Sequence, residues 1–178
     1  MTAPASWLMV SEKGVELMND YFTLMEKIER SRSQQRYYQA LDLSLEAVKW
    51  LPQLVKDTIK EFGQWDIKGS PPLGYACHYL SVLRRRDDLH RIGTLLKSTP
   101  ELTEWLSEVD FALERADLMD KVESFLLENP GFIQAKLGKA LGVDGREVSN
   151  LLIYAEQMGL VRREKEERSY RLYSEKVS

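Results

Sequence analysis

The chain has 178 residues, a formal net charge of −3 and a single cysteine. An apolar fraction of 43% can supply a sizeable core, whereas the slightly acidic balance gives no general attraction to nucleic acid or anionic lipid. The lone Cys77 excludes an internal disulfide, so we expect a reducing, cytoplasmic compartment.

No segment of the sequence predicts export or membrane insertion. The N-terminal stretch MTAPASWLMVSEKGVEL lacks the charged start and long apolar core of a signal peptide. The longest uncharged stretch, residues 69–83, is too short to span a bilayer and carries two prolines. We therefore expect a soluble protein that does not bind membranes.

Helical periodicity extends from about residue 15 to residue 118, and no convincing strand precedes residue 159. The clearest signal is YYQALDLSLEAVKWL, in which seven residues form one stripe at a spacing of 3.6. The stripe consists of Tyr37, Ala40, Leu41, Ser44, Leu45, Val48 and Leu51. Pro52 is expected to interrupt this helix or to open a new one.

Four more helices are predicted in the same half, joined by short loops that favour antiparallel neighbours. They cover residues 52–65, 73–86, 87–98 and 99–119. The last begins with Thr99 as N-cap and Pro100 at the first helical position.

The stretch RYYQALDLSLEAVKWLP resembles the second helix of a tetratricopeptide repeat (TPR), because Ala40, Ala47 and Pro52 have that repeat's spacing. The resemblance implies that residues 1–116 are a helical, TPR-like domain for interaction, dimerisation or sensing. No period near 34 residues recurs, so an irregular helical bundle is an equal alternative. All four tryptophans precede residue 117, which fits a boundary around residues 110–118. Residues 103–127 contain no glycine or proline, so a boundary inside one continuous helix is the alternative.

The C-terminal third carries a helix–turn–helix pattern. After an amphipathic helix over DLMDKVESFLLENPG, residues 132–143 predict a short helix with Gly138 at a close crossing and Gly142 at a sharp turn. Asp144 is expected to cap the next helix, which buries one face and stops at Gly159. That face consists of Val148, Leu151, Leu152, Ala155 and Met158.

Two strands, at 160–163 and 170–173, are predicted to follow and to form a hairpin. The order of elements and the phrase AEQMGLVRRE…RSYRLY resemble winged helix-turn-helix regulators of the broad MarR/ArsR-like class. The resemblance covers the domain at 117–178 and implies a DNA-binding transcriptional regulator. The fold class is therefore mainly α, with a TPR-like antiparallel array and a C-terminal winged helix.

The resemblance implies that particular residues of this domain contact double-stranded DNA. The second motif helix would enter the major groove and present Arg146, Ser149, Asn150, Ile153 and Gln157 outward. Arg146 would face a guanine edge and Asn150 an adenine edge. The full set of nucleic-acid-binding candidates is Lys136, Lys139, Arg146, Ser149, Asn150, Arg163, Lys165, Arg168 and Arg171.

Charge leaves a rival interpretation open. Residues 117–178 hold ten Lys/Arg against eleven Asp/Glu, and three of the acids, Glu164, Glu166 and Glu167, lie in the hairpin turn. Helical repeats followed by a winged helix also resemble, in layout alone, the scaffold domains of PCI type. In such a protein-interaction module Ile153 would anchor a partner. A homodimer or a protein partner is expected at the helical half in either case.

Catalysis is not expected. The sequence contains no GxxxxGK, GxGxxG or HExxH motif, and two histidines with one cysteine offer few nucleophile–base pairs. Cys77 and His78 are adjacent, so on a helix they point about 100° apart, which suits a core cysteine beside a half-buried histidine better than metal ligation. We expect no cofactor and no metal.

Overall fold

The computed structural model describes residues 12–175; residues 1–11 and 176–178, and with them most of the N-terminal stretch considered above, lie outside that range. The described chain is mainly helical, with a small antiparallel sheet at its C-terminal end. The helices are α1 (Glu12–Ser33), α2 (Tyr37–Phe62), α3 (Pro71–Val82), α4 (Arg86–Lys97), a 3₁₀ helix (Pro100–Trp105), α5 (Leu106–Glu128), α6 (Gln134–Leu141) and α7 (Gly145–Gln157). The strands are β1 (Phe132–Ile133), β2 (Val161–Glu166) and β3 (Ser169–Ser174).

Helix α2 continues across Pro52, so the expected interruption there is wrong. A proline inside a helix removes one amide donor and leaves the carbonyl four residues earlier, on Val48, without its helical bond. The buried stripe nevertheless continues on both sides, from Leu51 to Leu54 and Val55. Packing of that stripe against the common core therefore outweighs the local cost.

The helix predicted over residues 73–86 corresponds to α3, which begins two residues earlier and ends four residues earlier. It begins at a well-made cap, in which the Ser70 hydroxyl accepts a hydrogen bond from the Leu73 amide at 3.3 Å. It ends because Arg84 adopts a left-handed conformation with φ of 58°, and α4 then starts at Arg86. The guanidinium of Arg84 bridges Glu123 and Asp120, which ties this turn to α5.

The helix expected over 99–119 begins later and extends further. Residues 100–105 are a 3₁₀ helix, and the Thr99 side chain makes no cap hydrogen bond. Helix α5 then extends without a break to Glu128, so the domain boundary predicted at 116/117 falls inside it.

The sheet has the order β1-β3-β2 and is antiparallel throughout. Phe132 pairs with Leu172 and Ile133 with Arg171, so the expectation of no strand before residue 159 is wrong. The hairpin strands are longer than predicted and leave only Glu167 and Arg168 as the turn, with Glu167 at φ of 49°.

Buried apolar side chains from both halves form one hydrophobic core, from Tyr21 in α1 to Leu172 in β3. Within residues 12–175, no helix is both long and apolar enough to cross a membrane.

Candidate nucleic-acid interface

The crossing of α6 and α7 is built around Gly138. A Cβ atom at this position would lie 2.9 Å from the Cα atom of Gly145 and 3.0 Å from the Val143 carbonyl oxygen. No real side chain tolerates such contacts with backbone, so only glycine allows this approach. Gly142 makes the turn in a left-handed conformation, as predicted, with φ of 69°.

Helix α7 begins and ends as its sequence predicts. The Asp144 carboxylate accepts hydrogen bonds from the amides of Arg146, at 2.7 Å, and Glu147, at 3.2 Å, so it is the N-cap. Gly159 adopts φ of 73° just after the helix. The face predicted to be apolar is buried: Val148, Leu151, Leu152, Ala155 and Met158.

The N-terminal half of α7, residues 145–151, has a second face that points to solvent. Arg146 and Asn150 are exposed, and Ser149 is half-buried with its hydroxyl 3.4 Å from the Gln134 amide nitrogen, which donates to it. Ile153, just beyond this half, keeps 39% of its surface exposed.

Five of the predicted binding residues are exposed cations. Within residues 12–175 none of them has an ion-pair partner, so their charges are available to a ligand. They are Lys136, Lys139, Arg146, Lys165 and Arg168. The first two lie on α6, the third opens α7, and the last two are at and near the hairpin turn.

Two other predicted binding residues are engaged inside the fold. The Arg163 guanidinium donates to the Glu156 carboxylate at 2.7 Å, stacks over the Tyr170 ring, and leaves only 17% of its side chain exposed. Arg171 donates to the Gly131 carbonyl at 3.1 Å and to Glu166 at 2.9 Å. Both arginines hold the hairpin against neighbouring elements.

Two of the three acids near the hairpin turn are paired within the hairpin itself. Glu166 is bound to Arg171, and Glu164 is bound to Arg162. Of the three acids, Glu167 alone has no ion-pair partner within residues 12–175. The net charge of the hairpin is unchanged by these pairs, but the unpaired groups at and near its turn are two cations, Lys165 and Arg168, and one acid.

The C-terminal half of α7 packs against the helical half of the molecule. Gln157, expected on the outward face, is half-buried and accepts a hydrogen bond from the Tyr79 hydroxyl at 3.2 Å, so that expectation is wrong. The Tyr38 hydroxyl donates to the Met158 carbonyl at 3.1 Å. His78 stacks on Tyr154 with ring centroids 4.4 Å apart.

Behind this contact lies a buried arginine that sequence reasoning missed. Arg115 is 3% exposed, and its Nε and Nη2 atoms have no hydrogen-bond partner within the described residues. Burial lowers the pKa of the Arg115 guanidinium, and the rings of Phe111 and Tyr154 lie 5.5 and 5.9 Å from it. Its spacing, three residues after Ala112 and four before Met119, is the signal that would have placed it on the buried stripe.

Burial also governs His78. It lowers the pKa of the imidazole to about 4, with smaller contributions from the positive charges of Arg115 and Arg32. His78 is therefore neutral at physiological pH, which suits its stacking on Tyr154. The neighbouring Cys77 is buried in the core, as predicted, and burial raises the pKa of its thiol to about 12.

No family model matches the chain, and neither a curated protein nor a solved structure is significantly similar to it. The function must therefore be inferred from the side chains themselves. The exposed cations without an ion-pair partner described above lie on α6, at the start of α7 and at or near the hairpin turn.

Proposed function

We propose that the protein is a DNA-binding transcriptional regulator, in which residues 117–178 form a winged helix and α7 enters the major groove. One observation carries the proposal: the half of α7 that is free is its N-terminal half. Helix-turn-helix proteins read base edges with the N-terminal residues of the second helix, whereas the rest of that helix belongs to the fold. Arg146 and Asn150 occupy the reading positions and are exposed.

The base-reading roles follow from side-chain chemistry. Arg146 offers two parallel N–H donors to the O6 and N7 acceptors of guanine, and the Asn150 amide complements the N6 and N7 atoms of adenine. Ser149 is a weaker reader, because its hydroxyl is already in contact with Gln134.

Phosphate contacts fall to the unpaired cations. Lys136 and Lys139 on α6 flank the motif helix, and Lys165 and Arg168 lie at the hairpin, which would track the neighbouring backbone. Arg163 and Arg171 hold the hairpin in shape and contribute to binding indirectly, through their partners Glu156 and Glu166.

Residues 1–116 would provide a TPR-like platform for a homodimer or a protein partner. Ala40 and Ala47 are fully buried, which supports close helix packing of the kind that repeat requires. Phe22 and Phe62 are large apolar side chains left exposed on α1 and α2. A dimer would join two reading helices, since one short helix reads too few bases for useful specificity. Sedimentation that stays monomeric at high concentration would contradict the dimer.

The direct test is fluorescence anisotropy of the chain on random-sequence duplex DNA across a salt series. Each lost phosphate contact is expected to lower the salt slope of binding by about 0.9. The double variant Lys139→Ala with Arg146→Ala should therefore lower the slope by about 0.9, through loss of Lys139, and weaken binding at low salt.

The matched control is Lys56→Ala with Lys60→Ala, which removes the same charge from exposed positions on α2. It should leave the slope unchanged. Equal losses in the two double variants would mean that attraction is non-specific, and no binding of the parent protein at low salt would refute the DNA function.

A protein-interaction module is the second candidate, and the exposure of Ile153 favours it. An apolar side chain among polar neighbours is a typical interface anchor. Ile153→Ser separates the candidates: it should leave the salt slope on DNA unchanged, but would weaken a protein partner that seats on α7 by tenfold or more, roughly the effect of losing one anchor.

A further inference from the structure

A second candidate surface lies in the helical half, away from α7. It is a groove of about 340 Å³ between α2 and α4. The apolar side chains that line it are Leu45, Val48, Ile92 and Leu95. Val48 and Ile92 are buried, whereas Leu45 and Leu95 are partly exposed, so solvent reaches the apolar floor at the two leucines.

The rim of this groove carries an excess of positive charge. Lys49 is exposed and has no ion-pair partner among the described residues. Arg85 and Arg91 share one carboxylate, that of Asp88, at N–O distances of 2.6 and 3.3 Å, and 81% of the Arg91 side chain is exposed. Among the described residues that line the groove, three cations therefore face one acid. Such a groove suits an occupant that carries carboxylates beside an apolar side chain.

Helix α5 presents a surface of that chemistry. Phe111 is 43% exposed, and Asp110 and Glu114, which lie one turn apart beside it, are exposed as well. Neither acid has an ion-pair partner within the described residues. An engineered cavity of roughly 150 Å³ accommodates benzene, so the larger groove between α2 and α4 has room for a phenyl ring.

The groove and this surface of α5 lie on opposite sides of α4. Arg91 and Leu95 line the groove towards α2, whereas Gly93 and Lys97 lie towards α5. When two copies face each other across a two-fold axis that runs along α4, the groove of each copy lies opposite α5 of the other. Both contacts then form together, so the three helices make one self-complementary face.

We propose that the protein forms a two-fold dimer through this face. The Phe111 side chain of each copy enters the groove between α2 and α4 of the other, and Asp110 and Glu114 pair with the cations of its rim. The proposal rests on the homodimer suggested above for the helical half and names its interface. It does not depend on DNA binding by α7.

Charge reversal tests the pairing in the full chain. Lys49→Glu with Arg91→Glu makes the rim acidic, and Asp110→Lys with Glu114→Lys makes the α5 surface basic. All four side chains are exposed, so both double variants should keep the circular-dichroism spectrum of the wild type. In sedimentation velocity each double variant alone should show a dimer dissociation constant raised about tenfold or more, because like charges then face each other. An equimolar mixture of the two should restore the dimer, since each rim then meets a surface of opposite charge.

Truncation of the phenyl ring tests the apolar anchor. Phe111→Ala should raise the dimer dissociation constant about tenfold or more. Phe62→Ala is the matched control, because Phe62 is similarly exposed on α2 but does not line the groove, and it should leave the constant unchanged.

Three results would overturn the proposal. A monomeric wild type would do so and would leave the groove to another acidic partner. A dimer that withstands both charge-reversal variants would exclude this interface, as would a mixture of the two variants that stays monomeric. The anisotropy experiment on duplex DNA tests the DNA function separately, so failure of one proposal is distinguishable from failure of the other.

Discussion

The two halves of α7 belong to one helix but have opposite surroundings. The N-terminal half presents Arg146 and Asn150 to solvent, with unpaired lysines on the helix before it. The C-terminal half is covered by α2 and α3, through the contacts of Tyr38 with Met158 and of His78 with Tyr154. The side chains that cover the C-terminal half come from distant helices, so the contrast arises from tertiary packing.

This contrast shows that the free surface of a helix is defined by what the rest of the chain leaves uncovered. An arginine on a predicted binding surface is available to a ligand only if it is not already ion-paired with a nearby carboxylate. Arg146 meets that condition, whereas Arg163, held by Glu156, does not. Four substitutions test the packing that separates the covered C-terminal half of α7 from its free N-terminal half.

Adding a side chain at the α6–α7 crossing should have the largest effect on stability. Gly138→Val places its Cβ against the Gly145 backbone and should lower the free energy of unfolding by about 3 kcal/mol, since neither partner can move cheaply. Urea denaturation measures this change. Gly145→Ala is the matched control, because a Cβ there meets nothing within 4 Å. Equal stability of the two variants would contradict the close approach.

Acidification should weaken the contact of α3 with the C-terminal half of α7 and so destabilise the protein. The folded pKa of His78, about 4, lies below its ordinary value of 6.5, so its stabilisation is complete above 6.5 and is lost as the pH falls towards 4. Allowing for the solvent that still reaches the ring, the loss is on the order of 2 kcal/mol. Urea unfolding of wild type and His78→Phe at about pH 7 and about pH 4.5 isolates this contribution. The two proteins should differ in pH sensitivity; parallel curves would refute the assignment.

Removing the buried charge beside Tyr154 should strengthen the same contact. Arg115→Met keeps much of the volume and removes two unpaired donors, so the free energy of unfolding should rise by about 1–2 kcal/mol. Arg115→Lys retains a charge and should gain nothing. A destabilised Arg115→Met, seen as a lower urea midpoint, would mean that the guanidinium has a partner in solution.

The smallest effect on stability is expected at Tyr38, at the exposed edge of the contact between α2 and the end of α7. Tyr38→Phe deletes the hydrogen bond to the Met158 carbonyl, and because Tyr38 is exposed the loss should be about 0.5 kcal/mol. Hydrogen exchange at the end of α7 should accelerate accordingly. Tyr37→Phe, next to it on α2, is the control. A change in exchange at Arg146 as large as that at Met158 would show that the two halves of α7 are not independent.

Local chemistry made much of the C-terminal third predictable from sequence. Gly138, Gly142, Asp144 and Gly159 each act through neighbours a few residues away, and all four have the geometry that their positions predict. The apolar face of α7 follows from helical spacing. The exposed face of Arg146 and Asn150 is simply its complement.

The features that sequence did not predict depend on distant partners. Strand β1 consists of two residues, and Phe132 becomes a strand only because Leu172 lies beside it. Gln157 faces inward because Tyr79, far away in the chain, donates to it. Pro52 stays helical because the core on both sides of it holds α2 together. None of these features can be read from the residues near it in the sequence, because each depends on a contact with a distant part of the chain.

Helix α5 has a consequence for how this protein can be divided. It is one rod of 23 residues, about 35 Å long, and the compositional boundary lies near its middle. A fragment that began at residue 117 would lack the first half of this helix. It would also leave Tyr154 more exposed, because His78, which stacks on it, would be absent. We therefore expect such a fragment to be less stable than the same residues in the full chain. A chimera that transfers the C-terminal third to another protein would have to include all of α5 and a helix that takes the place of α3.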